Sequence, residues 1–410
     1  MPARSGAVRR VLLLTALLLS ITPAARAETV LPVGRAQSFW LHLNSTPVSD
    51  ATIAVEAKRR AHIALNAWEG ELLRKLKAVN PDVKVYVYKD LSSTRSYACK
   101  NGVDDAQLPT GLGYCDVRKR NPEWFLRDKN GRELAYSGYD GHWQMDVGNT
   151  AYRKAWVQSV VANAKATGFD GVFLDNALFT CDTYHPGVCP AKYPDDASFQ
   201  RAYRGMLAEV RRGFTAAGLK SVANLSNARL QRGAWDSYST YLDGGFDEWW
   251  LTFSSGKLLE DYELGWRKQV AQIAANETHG RMTWVQPHFD VGDTRAFRYA
   301  LASLYMTTTG EAAIAEIAKT DGYGDPTPWH PEYEWNLGYA AGSYRAVAEK
   351  VYRRDFACGV ALVNANPTGS AKVEVLLHRA HRDHEGRTVR SVQLPGTTGV
   401  LLRAPCPSGL

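Results

Sequence analysis

The sequence contains no HExxH, no GxSxG and no P-loop, which argues against a zinc protease, a serine hydrolase built on a nucleophile elbow and a phosphoryl-transfer enzyme. None of its six cysteines forms a CxxC, so a zinc ribbon has little support. No GxGxxG follows the first apolar run, and nothing else points to a nucleotide. Blocks of lysine or arginine with interleaved aromatics are missing, which speaks against nucleic acid as a partner. Beyond the N-terminus there is no long uninterrupted apolar run, so no segment is expected to cross a membrane.

The N-terminus itself has a pattern. Arg4, Arg9 and Arg10 precede the apolar run Val11–Ile21, and Ala25-Arg26-Ala27 supplies the small residues of a cleavage site. Residues 1–27 therefore read as a secretory signal, and the mature chain as secreted and extracellular. Four leader arginines account for part of the net charge of +7, leaving a nearly balanced +3. In an exported chain the cysteines read as three disulfides. Their spacing favours Cys99 with Cys115, Cys181 with Cys189, and Cys358 with Cys406.

From Gln37 onward short apolar runs alternate with segments of helical period, the pattern of βα units around a parallel sheet. Candidate strands are Ser38–Leu43, Val83–Asp90, His142–Gly148, Asp170–Asn176, Ser221–Asn227, Gly244–Leu251, Met282–Phe289 and Glu311–Ala318. Helical stripes run through Tyr152, Trp156, Val160 and Ala164, through Phe199 to Phe214, through Leu259, Tyr262, Trp266, Val270 and Ile273, and through Phe297 to Tyr305, each before a glycine. This order fits an α/β fold, a (β/α)8 TIM barrel over residues 28–350, with an open doubly wound sheet as the alternative. The long stretch Leu91–Gly141, with a hairpin turn at Asn130-Gly131, is expected to cover the active end. After Val351 short alternating runs read as a small antiparallel β domain over 351–410, its first and last strands tied by Cys358 and Cys406.

Two stretches echo each other: GFDGVFLDN, Gly168–Asn176, and LDGGFDEWW, Leu242–Trp250. In each, Asp-Gly at a strand entrance reads as a turn, and the acid five positions on, Asp175 or Glu248, is carried to the barrel rim where active groups sit. Two facing rim carboxylates are what hydrolysis of a glycosidic bond requires, one protonated to assist the leaving oxygen and one ionised. The plainer alternatives are an Asp175 that caps a loop and a Glu248 paired with an arginine. Asp247 competes with Glu248 from the opposite strand parity and could contact substrate. Asp146, Asn224, Gln286 and His288 are candidates for holding sugar hydroxyls, and Trp40, Trp249 and Trp284 for stacking on sugar faces, although aromatics are more often core. His378, His381 and His384 read as a solvated hairpin, and no metal or organic cofactor is expected. Asn44, Asn224 and Asn276 match the glycosylation triplet, a pattern common by chance. A carbohydrate-binding barrel without catalysis, or a polysaccharide lyase or deacetylase, remains open as an alternative.

The runs PEWFLRDKNGREL, MDVGNTAYRKAWVQSVV and GFDGVFLDN resemble the middle of the TIM-barrel glycosidases of hypothetical glycosyl hydrolase family 15, and more distantly the α-galactosidase and endo-polygalactosaminidase barrels. YRRDFACGVALVNANP is similar to the β domain that follows such barrels. The resemblance implies a glycoside hydrolase acting on a polysaccharide or oligosaccharide. It places the strand-four acid on Asp175 and the strand-six acid on Glu248, which in retaining relatives are nucleophile and acid/base.

Overall fold

The computed structural model describes residues 1, 35–253, 257–290, 292–318 and 323–407; the expected export signal, Met1 aside, lies outside them. Eight short strands pair in parallel and close into a barrel in chain order: β1 (Gln37–His42), β2 (His62–Leu65), β3 (Lys84–Asp90), β4 (Gly171–Asp175), β5 (Lys220–Asn224), β6 (Gly244–Asp247), β7 (Met282–Val285) and β8 (Ala312–Ile314). The closure is made where Gln37 and Ser38 pair with Ala313 and Ile314. Period-two alternation sorts the side chains. Phe39, Leu41, Ala64, Tyr86, Phe173, Val222, Phe246 and Trp284 fill the interior, while Trp40, Ile63, Val85, Val172 and Leu174 pack in the layer toward the helices. Each such large side chain contributes about 1.5–3 kcal/mol when fully buried.

The crossovers carry α1 (Asp50–Arg59), α2 (Gly70–Val79), α3 (Thr150–Thr167), α4 (Asp196–Ala217), α5 (Ala234–Ser239), α6 (Trp266–Thr278) and α7 (Thr294–Tyr305). The side chain of Asn149 caps α3 by accepting from the amides of Ala151 and Tyr152, and Gly168 ends it at φ 96°. Its stripe Tyr152, Trp156, Val160 and Ala164 is buried as the periodicity predicts. Leu259 and Tyr262 are not helical. The chain enters α6 only after Gly265, where a side chain would collide with the Glu260 carbonyl at 2.4 Å.

One expected barrel strand is replaced by another. Within His142–Gly148 only His142–Gln144 is extended, and it pairs antiparallel with Ser93–Arg95 in a ribbon outside the barrel. The missing barrel strand is β2, whose four residues HIAL follow the basic pair Arg59-Arg60 and are too short to show alternation. The long excursion therefore leaves β3 and returns through α3 to β4. It includes the hairpin in which Arg127 bridges Glu133, with Gly131 at φ 79°.

The repeated Asp-Gly pairs do something other than turn the chain. Asp170 accepts from the amide of Val85 at 2.7 Å and Asp243 from the amide of Ser221 at 3.0 Å, so each carboxylate staples its strand to a neighbour. The glycines are required by close approach: a Cβ on Gly171 would lie 2.6 Å from the Lys220 carbonyl, and one on Gly244 would lie 3.0 Å from Met282.

After β8 the chain builds a curled antiparallel sheet of β9 (Arg345–Ala348), β10 (Val351–Phe356), β11 (Gly359–Asn364), β12 (Val373–Arg382), β13 (Thr388–Leu394) and β14 (Thr398–Arg403), in the order β9-β10-β11-β14-β12-β13. One face, with Tyr352, Phe356, Ala361, Val363 and Leu401, packs on Phe297, Leu301 and Tyr305 of α7. The three disulfides pair Cys99 with Cys115, Cys181 with Cys189, and Cys358 with Cys406, the connectivity favoured by spacing.

Candidate active site

At the C-terminal mouth of the barrel, Asp175 ends β4 and Asn224 ends β5, while Glu248 follows β6 directly. One side-chain nitrogen joins them: Asn224 Nδ2 donates to Asp175 Oδ1 at 3.1 Å and to Glu248 Oε2 at 2.9 Å. The Ser226 amide donates to Asn224 Oδ1 at 3.0 Å, which orients the amide with its NH2 toward the acids. Because both bonds start at one atom, their lengths of 3.1 and 2.9 Å hold the two acceptor oxygens within about 6.0 Å of each other.

Asp175 is held by three donors. Besides Asn224 it accepts from the Tyr88 hydroxyl at 2.7 Å and from the Asn176 amide at 2.9 Å. Burial, helped by the charges of Asp90 and Glu248, pushes its carboxyl up to about 6, against the pull of the Tyr88 and Asn224 hydrogen bonds. Glu248 accepts also from the Tyr323 hydroxyl.

Behind Asp175 stands a carboxylate that its strand position, but not the Asp-Gly repeat, could have revealed. Asp90 ends β3 in register with Asp175 and is fully buried. It accepts from the amides of Ser92 and Ser93, the Ser93 hydroxyl, Arg95 at 2.9 Å and Asn176 Nδ2 at 2.7 Å. Asn176 adopts φ 61°, a left-handed conformation that asparagine tolerates better than most residues, and its Oδ1 accepts from Tyr184. Tyr88 was legible by the same parity, two residues before Asp90. Tyr184 and Tyr323 come from loops, where no periodicity marks them.

The profile of hypothetical glycosyl hydrolase family 15 matches residues 77–360, which includes β3 to β8 and the whole carboxylate cluster. The chain belongs to this family. No curated protein matches it. Among solved structures, an α-amylase from Malbranchea cinnamomea is 8% identical with TM-score 0.50, over 90% of this chain and 96% of that one. The glycoside hydrolase domain of PelA from Pseudomonas aeruginosa is 14% identical with TM-score 0.44, over 75% and 98%. A β-L-arabinopyranosidase from Geobacillus stearothermophilus is 10% identical with TM-score 0.49, over 92% and 98%. At 8% identity the α-amylase likeness speaks for the barrel architecture alone, and membership of the glycosyl hydrolase family supports a glycosidase-like function.

In this member of family 15 the other expected site residues separate into two groups. Gln286 lies one step past the Asp247 and Val285 pair, on the inward parity of Trp284, and its buried Oε1 has no hydrogen-bond partner among the described residues. His288 stacks on the half-buried Trp249 with ring centroids 3.7 Å apart, and burial pushes its imidazole down to about 4, leaving it neutral. The remaining four face elsewhere. Asp247 points toward α6, where Gln269 donates to it at 2.9 Å, and burial pushes it up to about 7. Trp284 is enclosed by Phe39, Phe173 and Tyr86 in the barrel core, so no sugar can reach it. Trp40 is likewise sealed on the helix side and donates to the Gly324 carbonyl. Asp146 lies beyond the ribbon instead of on a barrel strand, bound to Lys192 and Tyr193.

The glycosylation triplets are also sorted: Asn224 is committed to the carboxylates, and Asn276 is buried against Trp235 and Thr283. Among the described residues the one group of donor atoms close enough to share a metal ion is Cys99, Asp104 and Cys115, and its two sulfurs form a disulfide. Among the described residues no helix is long and apolar enough to cross a membrane.

Proposed function

We propose that this protein is an exported glycoside hydrolase that cleaves O-glycosidic bonds of a polysaccharide or oligosaccharide by double displacement, with Asp175 as nucleophile and Glu248 as acid/base. The observation that carries the reading is the single Asn224 amide nitrogen bonded to both carboxylates. Retaining glycosidases keep their acids roughly 5–5.5 Å apart, whereas inverting ones need about 6.5–9.5 Å to admit a water. The 3.1 and 2.9 Å bonds keep one oxygen of each acid within about 6.0 Å of the other, which is compatible with the retaining spacing.

In the first step Asp175 attacks the anomeric carbon while Glu248 protonates the departing oxygen. In the second Glu248 takes a proton from water, whose oxygen attacks the anomeric carbon on the face that the first leaving group vacated, opposite Asp175, and the bond to Asp175 breaks to restore its carboxylate. The roles are those the family resemblance implies, and the surroundings of Asp175 are compatible with a nucleophile. Three donors to Asp175 favour its ionised form, and a carboxyl at about 6 is still ionised at neutral pH while being more basic, hence more nucleophilic, than an exposed aspartate. Tyr88, whose phenol burial holds far above its usual range, stays protonated and can donate throughout. The two acids and one water account for every proton and electron pair in the two steps, so the proposed mechanism routes no step through a metal or organic cofactor. Three disulfides support a working place outside the reducing cytoplasm.

The test is the anomeric configuration of the first product, followed by NMR on a glycan identified from a broad panel. Retention is expected. Inversion would overturn the double displacement, and a panel left intact by the native chain but bound by it would favour a binding protein instead.

A further inference from the structure

Next to the carboxylates, two loops carry aromatic side chains outward. The ribbon that grows from the end of β3 pairs Arg95 with His142, and Tyr97 lies against His142 with ring centroids 5.8 Å apart. Tyr139 stacks on the same imidazole at 5.4 Å and meets Tyr184 edge-on at 5.6 Å. Tyr184 stacks on the buried Tyr136 at 4.0 Å and donates to Asn176, the residue after Asp175. The rings therefore form one connected surface from the catalytic aspartate to solvent. Its outer members are unusually open, with Tyr97 55% and Tyr139 51% exposed.

Two disulfides hold this surface in place. Cys99, just after Tyr97, is tied to Cys115, and Tyr184 lies inside the loop closed by Cys181 and Cys189. Exposed tyrosines on stapled loops lose little freedom when a ligand docks, which favours binding. Three bases of the same excursion are occupied: Arg95 is buried against Asp90, Lys100 pairs with Asp105, and Arg118 pairs with Glu133. His142 is held neutral by burial and the nearby Arg95, at about 4. Tyr97, Tyr139, His142 and Tyr184 themselves present ring faces and hydroxyls, with the exposed Asp140 in the chain next to Tyr139, a surface suited to uncharged pyranose rings and unsuited to polyanions.

We propose that Tyr97, Tyr139, His142 and Tyr184 form a stapled aromatic platform that holds successive rings of a neutral polysaccharide chain on its way to the carboxylate pair. This rests on reading the mouth as a glycosidase site, and it makes the substrate a polymer bound along its length.

The test is affinity electrophoresis of the full chain through gels containing soluble starch, galactomannan or mixed-linkage β-glucan, with polygalacturonate as the charged control. The native chain is expected to be retarded by at least one neutral polymer. Tyr97→Ala/Tyr139→Ala should weaken that retardation by about tenfold or more, with an unchanged melting temperature, while Tyr339→Ala, an exposed tyrosine beside the antiparallel sheet, should not. Retardation that survives the double substitution, or that occurs only with polygalacturonate or with no neutral polymer, would overturn the platform. Retention is read without turnover, so binding without cleavage would keep the platform and sink the hydrolase reading. Cleavage indifferent to the two tyrosines would do the reverse.

Discussion

Asp247 and Glu248 are neighbours in the chain, yet the barrel wall sends them into different environments. Glu248 faces the mouth, half-buried, with Asn224 and Tyr323 donating to it. Asp247 faces the helix layer, sealed beneath α6, with Gln269 as its partner and its carboxyl pushed up to about 7 by burial. Gln269 also accepts from the Leu251 amide at 2.7 Å, so it clamps the tip of β6 from behind. The lesson is that a strongly shifted acid beside a site need not be part of the chemistry: the side of the wall decides, and strand parity sets the side.

The largest expected effect is on the mouth side. Asp175→Asn should lower hydrolysis by about 10²–10⁴-fold, and added azide should restore part of it as an α- or β-glycosyl azide product detectable by mass spectrometry. A variant of near-native rate would remove Asp175 from the mechanism. In the native chain, kcat/KM should fall about tenfold per pH unit below about 6, because the attacking carboxylate must be ionised and its pKa is raised to about 6.

Next comes the support behind Asp175. Asp90→Ala should cost about 3–5 kcal/mol in a thermal or denaturant melt, because it strands Arg95, only 4% exposed, without its charge partner. A loss below about 1 kcal/mol would mean that the network is not structural.

The tryptophans extend the same comparison. Trp284→Ala should destabilise by about 3–5 kcal/mol because it empties the barrel core, whereas Trp249→Ala should cost about 1 kcal/mol or less and act mainly by raising KM. Equal melting temperatures for the two variants would contradict the assignment of one to packing and the other to the mouth.

The smallest effect is a gain. The folded state raises the Asp247 pKa to about 7, so its contribution to stability is present in acid and is lost as pH rises from the ordinary aspartate range through about 7. Asp247→Asn removes that loss and keeps an acceptor for Gln269. It should therefore stabilise the chain by on the order of 1–3 kcal/mol at pH 8 and by almost nothing at pH 4. Equal effects at both pH values would show that the acid is not neutralised by burial.

Much of this arrangement was legible in the sequence because its physics is periodic. Alternation within DGVFLDN and GGFDEWW puts Asp175 and Glu248 on the inward face, and the same count reaches Asn224. Where the signal was absent, legibility failed for identifiable reasons. HIAL is too short to alternate, while HWQMDVG alternates because a half-buried ribbon obeys the same period as a barrel strand. Parity could not say how deep Trp284 sits, and depth separates core from mouth. Asp90 obeyed the rim rule but lay outside the repeated Asp-Gly pattern, and Tyr184 and Tyr323 arrive from loops whose placement depends on tertiary contacts.

The account is tested most directly by assaying Glu248→Gln and Asp247→Asn side by side on one glycan. It predicts a loss of at least about 100-fold for the first and a rate within about twofold of native for the second. The opposite ranking would place the catalytic acid on the wrong side of the wall and contradict the site described here.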